Sequence, residues 1–207
     1  MSSCMKLFSF LLLIGMASGI QAAPTILVVG DSLSAAYGIP RQSGWVALLA
    51  EQLKTDKSAY QVVNASVSGE TSAGGLTRLS ALLAAHRPRL LILALGANDG
   101  LRGLPLEQTA RNLHSMVALA KKQGSKVLLV GMRLPPNYGA TYTRKFQTLF
   151  VEVAKNDKAD LVPFLLEGIA GQRENFQSDG LHPTAAAQPA LLKTVWRHLA
   201  PLLNGTK

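Results

Sequence analysis

The sequence predicts an α/β fold: a mostly parallel sheet of about five strands with helices on both faces. Three observations lead there. Apolar segments of strand length alternate with segments of helical period from Thr25 onward. The strand candidates are continuous apolar runs, as strands buried on both faces require. Polar, glycine-rich clusters follow those runs, at the sheet edge where such folds bind ligands.

Ile26-Leu27-Val28-Val29 is the first strand, and a helical stretch from Trp45 to Lys54 follows. Tyr60 to Asn64 reads as the second strand and Gly74 to Ala85 as the next helix. Leu90 to Leu95 is the most apolar strand. In the helix after it, Leu106, Ala110, Leu113, Val117 and Ala120 recur at helical spacing, Pro105 suits its first turn and Gly124 its end. Lys126 to Val130 gives a fourth strand, Tyr142 to Lys155 a helix, and Leu161-Val162 a short fifth strand. Pro183 and Pro189 punctuate the approach to a last helix carrying Leu191, Leu192, Val195, Trp196 and Leu199. No repeat, low-complexity tract or linker divides the chain.

The 207 residues suit one domain preceded by a leader. Lys6, the apolar run from Leu7 to Ile14 and small residues ending at Ala22 have the pattern of a cleaved secretory signal peptide. The apolar part falls short of the roughly 20 residues of a membrane span. A retained anchor is the alternative. The expected division is a signal peptide over 1–22 and the folded domain over 23–207, with export to the periplasm. The sole cysteine, Cys4, falls in the leader, so disulfides, thiol chemistry and cysteine-ligated metals are excluded from the mature domain. The formal charge is +9, but the cations are scattered, with Arg87/Arg89 and Lys121/Lys122 the densest groups. That pattern excludes a nucleic-acid motif and leaves at most weak contact with an anionic membrane surface.

Four clusters stand where strand ends are expected. They are Gly30-Asp31-Ser32, Asn64 through Thr71, Gly96-Ala97-Asn98-Asp99, and Asp179-Gly180-Leu181-His182-Pro183. A serine hydroxyl needs a base to become a nucleophile, and a carboxylate orients that base. Asp179 and His182 are three residues apart in one loop, with Gly180 between them to permit the turn. An acyl-transfer intermediate also needs oxyanion donors. Candidates are the Ser32 N–H at the start of an expected helix, the backbone of Gly69 and the side chain of Asn98. Alone, each is ordinary: Ser32 a helix cap, Gly69 a turn glycine, Asn98-Asp99-Gly100 a turn. Asp31 and Asp99 read as loop-ordering residues that bind nearby N–H groups. His86, His114 and His198 read as solvated.

Together the clusters resemble the sequence blocks of the SGNH (GDSL) hydrolases. "VVNASVSGETS" (62–72), "NDGLRG" (98–103), "RLPPNYG" (133–139) and "DGLHP" (179–183) resemble one subgroup, the bacterial periplasmic acyl thioesterase/lysophospholipase/arylesterases. The resemblance implies a flavodoxin-like three-layer α/β/α sandwich, Ser32 as nucleophile, His182 as base and Asp179 as its orienter. It implies an oxyanion hole of Ser32, Gly69 and Asn98, with no metal and no cofactor. The substrate would be a small acyl ester or thioester, and a monomer is the simplest expectation. Many relatives carry Gly-Gly-Asn-Asp in the third block, where this chain has Gly96-Ala97-Asn98-Asp99. The lipase elbow Gly-x-Ser-x-Gly fits less well, since Ser34 replaces its second glycine.

The acyl pocket is expected among Leu76, Leu79, Leu101, Leu104 and Leu106, beside Pro135, Pro136 and Tyr138, unless those leucines are core. Three rivals remain at this stage. A metal-dependent hydrolase would use Asp31, Asp99, Asp179 and His182 as ligands. A carbohydrate acetylesterase of the same family would reject long acyl chains. A non-catalytic envelope module would bind lipid or glycan.

Overall fold

The computed structural model describes residues 23–204, so the expected leader over 1–22 lies outside the described residues. Five parallel strands form one sheet in the order β2-β1-β3-β4-β5. They are β1 (Thr25–Gly30), β2 (Gln61–Asn64), β3 (Leu90–Ala94), β4 (Lys126–Val130) and β5 (Asp160–Val162). The helices are α1 (Trp45–Thr55), α2 (Ser72–His86), α3 (Ala97–Leu101), α4 (Leu106–Lys122), α5 (Ala140–Asn156) and α6 (Gln188–Asn204). This strand order is the flavodoxin-like one, and its switch point lies between β1 and β3.

The period-2 geometry of each strand separates two cores. Ile26, Val28, Leu90, Ile92, Leu128 and Val130 face Trp45 and Leu49 of α1 and Leu191 and Val195 of α6. Their neighbours Leu27, Val29, Leu91, Leu93, Val127 and Leu129 face Leu79 of α2, Leu113 and Met116 of α4, and Phe146 and Phe150 of α5. Every residue of β1 and β3 is buried. Burying one large aliphatic side chain contributes about 1.5–3 kcal/mol, so these two strands anchor both layers.

The expected elements appear at nearly the expected bounds, with informative exceptions. Helix α2 begins at Ser72, two residues early, because Thr71 caps it by accepting the Gly74 N–H. Pro189 lies inside the first turn of α6, where its missing N–H costs nothing. Helix α3 was not expected. Asn98, Asp99 and Gly100 are poor helix formers, and its single turn is held by contacts from elsewhere in the fold.

One tie joins the two helices of the first layer. The start of α1 has no side-chain cap of its own. The buried Gln188 at the head of α6 accepts the Trp45 N–H through Oε1 at 2.9 Å. Gln188→Leu keeps the volume and orphans that N–H. We expect it to cost about 1–3 kcal/mol, read as a lower urea midpoint at unchanged m-value.

Candidate active site

The chain leaves β1 at Gly30 and turns at once. The expected helix after Ser32 is absent, and the reading of Ser32 as its cap is corrected. Residues 32–38 form successive turns, with Ser34 and Ala35 N–H donating to the Asp31 carbonyl and Tyr37 N–H to that of Ser32. Ala36 takes a left-handed φ of 59°, which a right-handed helix does not allow. The next regular helix is α1, beyond Pro40.

These turns aim Ser32 at His182, 150 residues away. His182 Nε2 lies 2.9 Å from Ser32 Oγ, and His182 Nδ1 lies 2.7 Å from Asp179 Oδ2. A carboxylate only accepts, so Nδ1 carries the proton and donates, leaving Nε2 to accept from the serine hydroxyl. The other Asp179 oxygen, Oδ1, accepts the N–H groups of Leu181 (2.9 Å) and His182 (3.0 Å). The His182 backbone N–H, its ring and the Leu181 N–H together lower the Asp179 pKa to about 2. Gly180 makes this compact loop possible with a φ of 71°.

The loop is braced from behind. The Arg173 guanidinium donates to the Phe176, Gln177 and Ser178 carbonyls at 2.8, 2.7 and 3.0 Å, just before Asp179. Gln177 Nε2 donates to the Tyr37 carbonyl at 2.8 Å, tying the histidine loop to the serine's own turns. The Tyr37 ring packs on the His182 ring at 4.5 Å between centroids. Arg173 and Gln177 escaped sequence reading because their partners are backbone carbonyls, which leave no pattern in sequence.

The remaining site candidates sit on two segments that grip each other. Gly69 has a φ of 78° and its carbonyl accepts from Arg102 Nη2 at 2.9 Å. The Asn98 amide donates to the Glu70 carbonyl at 3.0 Å and lies 3.5 Å from Asp31 Oδ2. Asp99 is buried, and its partners are not local as expected. Its Oδ2 accepts the Ser72 N–H at 2.8 Å and its Oδ1 the Ser72 hydroxyl at 2.5 Å, with Thr109 Oγ1 at 3.3 Å. Asp99 thus holds α3 against the starts of α2 and α4. The alanine at position 97 brings no backbone strain: the left-handed residue is Gly96, at φ 109°, where a Cβ would come within 3.1 Å of Phe150.

Asp31 orders the turn as expected, its Oδ1 accepting the Leu33 N–H at 3.0 Å. It is also buried, and desolvation pushes its pKa from 3.8 to about 6 against the opposing pull of the Leu33 N–H and His182. Asp31, Asp99, Asp179 and His182 do not converge as metal ligands. Among the described residues no group of three or more His, Cys, Asp or Glu side chains is placed to hold an ion. His114, expected to be solvated, pairs with Asp157 at 2.7 Å.

A cleft of about 600 Å³ opens beside Ser32, Asn98 and His182. Leu101, Pro135 and Pro136 line it as expected. Leu79 and Leu106 belong to the core and Leu76 packs against it, whereas Leu104 is exposed. Tyr138 instead donates its hydroxyl to the Leu101 carbonyl at 3.0 Å. Met132, Leu134, Phe164, Leu166, Phe176 and Leu181 complete the apolar wall. Met132 and Leu134 follow β4 and Phe164, Leu166 and Phe176 follow β5, ahead of the histidine cluster that holds Leu181.

A sequence model of the GDSL-like Lipase/Acylhydrolase family matches residues 28–189, a span holding the serine, asparagine and histidine clusters alike. The chain belongs to this family. It is 54% identical over 182 residues to Esterase TesA of Pseudomonas aeruginosa, covering 88% of this chain and 90% of that protein. It is 40% identical over 195 residues to Thioesterase 1/protease 1/lysophospholipase L1 of Escherichia coli K12, covering 94% and 92% of the two chains. A crystal structure of TesA superposes with a TM-score of 0.85 at 53% identity, covering 86% of this chain and 99% of that one. The α/β/α sandwich of this GDSL hydrolase is therefore that of its close relatives.

The buried Asp31 makes stability depend on pH. Its folded pKa lies above the unfolded value, so the carboxyl favours folding in acid and that benefit is lost as pH rises through about 6. Asp31→Asn removes this dependence. Relative to wild type, the variant should gain about 2–3 kcal/mol between pH 4 and pH 8, measured by urea unfolding at both values.

Proposed function

We propose that this GDSL ester hydrolase cleaves carboxylic esters and thioesters through Ser32, His182 and Asp179. The observation that carries the reading is the unbroken chain from Ser32 Oγ to His182 Nε2 and from His182 Nδ1 to Asp179 Oδ2. Its supports are the family membership, the named activities of the two relatives and the apolar cleft beside the serine.

His182 Nε2 takes the Ser32 proton as Oγ bonds to the carbonyl carbon, and the carbonyl π electrons move to oxygen. Asp179 stabilises the resulting imidazolium, an arrangement suited to a carboxylate held ionised down to about pH 2. The Ser32 N–H, Gly69 N–H and Asn98 amide hold the oxyanion. Collapse breaks the bond to the leaving oxygen or sulfur, which receives the His182 proton. Water, deprotonated by His182, then attacks the acyl-enzyme and frees the acid and Ser32.

The cleft fits fatty acyl chains and aryl groups, and the substrate range we assign covers aryl esters, fatty acyl esters, acyl thioesters and lysophospholipids. A wall of leucine, methionine, proline and phenylalanine favours this range over the acetyl group of a carbohydrate acetylesterase. Residues 1–22 are assigned as a cleaved signal peptide and the enzyme to the periplasm, acting as a monomer. Among the described residues no helix is long and apolar enough to cross a membrane.

The test is p-nitrophenyl ester and acyl-thioester hydrolysis, measured with and without chelator. Ser32→Ala should lose about 10⁶-fold in kcat and Asn98→Ala about 10²–10³-fold. Ser32→Ala at wild-type rate, or wild-type activity abolished by chelator, would contradict the mechanism.

A further inference from the structure

The cleft carries a charge that the hydrolytic mechanism does not use. Two arginines line it, Arg133 and Arg173. Arg173 donates three N–H bonds to carbonyls of the histidine loop. Arg133 is different. Its guanidinium lies over the Phe164 ring, 4.9 Å from the centroid, and among the described residues it has no hydrogen-bond or ion-pair partner. It presents a planar fork of donors beside the apolar side chains Met132, Leu134 and Phe164 of the cleft.

The position of Arg133 is held firmly. It follows β4 by three residues, and the intervening Gly131 is pinned to the strand next door. The Gly131 N–H donates to the Val162 carbonyl at 2.8 Å, and Leu165 N–H donates to the Gly131 carbonyl at 3.0 Å. A Cβ at Gly131 would sit 2.6 Å from the Pro163 carbonyl oxygen, so the two loops touch through backbone. Phe164 lies between Pro163 and Leu165 in that same contact. The ring that seats the guanidinium is therefore fixed relative to the arginine's own backbone. The cleft's one carboxyl, Asp31, is buried and bonded to the Leu33 N–H, so no exposed acid on the wall neutralises Arg133.

We propose that Arg133 is a specificity-determining residue that selects esters carrying an anionic group, a carboxylate or phosphate, alongside an apolar chain. Phe164 holds the guanidinium flat and lowers the ordering cost of binding. The anion sits either on the far end of the acyl chain or on the leaving group; both present the same oxygens to the same fork. This rests on the ester-hydrolase reading and adds to it the residue that selects charged members of its substrate range.

The experiment compares matched soluble esters that differ in one negative charge. On the acyl side, mono-p-nitrophenyl adipate is paired with p-nitrophenyl hexanoate. On the leaving-group side, 4-(hexanoyloxy)benzoate is paired with its methyl ester. The quantity read is the ratio of kcat/KM for the charged over the neutral member, in wild type, Arg133→Gln and Arg133→Glu. Arg133→Gln should lower the ratio about five-fold in at least one pair, the upper end for an exposed ion pair, and Arg133→Glu should lower it further. The arm that responds locates the anion, and added salt should shrink the effect. An unchanged ratio in both pairs, or equal losses on charged and neutral members, would overturn the proposal. Failure of the underlying reading looks different: wild type would not hydrolyse the neutral esters, or would do so without Ser32.

Discussion

Burial of β1 and β3 on both faces is the constraint on which the other parts depend. Thr25–Gly30 and Leu90–Ala94 are buried throughout and pair in parallel register, Ile26 with Leu90 through Gly30 with Ala94. Parallel pairing puts their carboxyl ends side by side. The chain must leave both strands at the same edge, and there it presents Ser32 from one and Asn98 from the other. Because β2 and β4 flank this pair, the Gly69 loop and the Arg133 loop come to the same edge. The long return after β5 brings Asp179 and His182 across it.

Carboxyl groups then divide the work by their surroundings. Asp179 stands at the surface and is saturated with N–H donors, so it stays ionised far into acid. Asp31 is buried one residue from the proposed nucleophile and is poorly solvated, so it holds its proton to about pH 6. Asp99 is buried among hydroxyl and amide donors and serves the architecture, locking α3 to α2 and α4. Three aspartates of the same motif-bearing loops thus do three unlike things, decided by how many donors each meets and how much water each keeps.

The fold was legible because parallel strands advertise themselves. Ile26–Val29 and Leu90–Ala94 are unbroken apolar runs, and α4 shows its buried face at every third or fourth residue. The proximity of Ser32, Asn98 and His182 was legible for a related reason: loops at one sheet edge must meet, and Asp179 and His182 are close along the chain. What escaped sequence reading depends on contacts with no period. Helix α3 has poor helix formers at its three central positions, Asn98, Asp99 and Gly100, and is held by the bonds of Asp99 to Ser72 and Thr109. The turn after Ser32 is set by a left-handed Ala36, a residue with no strong preference for that conformation. Gln188 caps a helix 143 residues away, and Arg173 binds carbonyls. The cleft was half read: Leu101, Pro135 and Pro136 line it, while Phe164 and Phe176 come from a stretch whose course no local pattern announces.

The account's central claim is that one serine hydroxyl, activated by His182, is the group that attacks the substrate carbonyl. The most direct measurement is the site of covalent modification by a reactive organophosphonate, mapped by peptide mass spectrometry after complete inactivation. The account predicts one adduct per chain, on the peptide bearing Ser32, and no labelling in His182→Ala on the same timescale. An adduct on another residue, or inactivation with Ser32 unmodified, would contradict it.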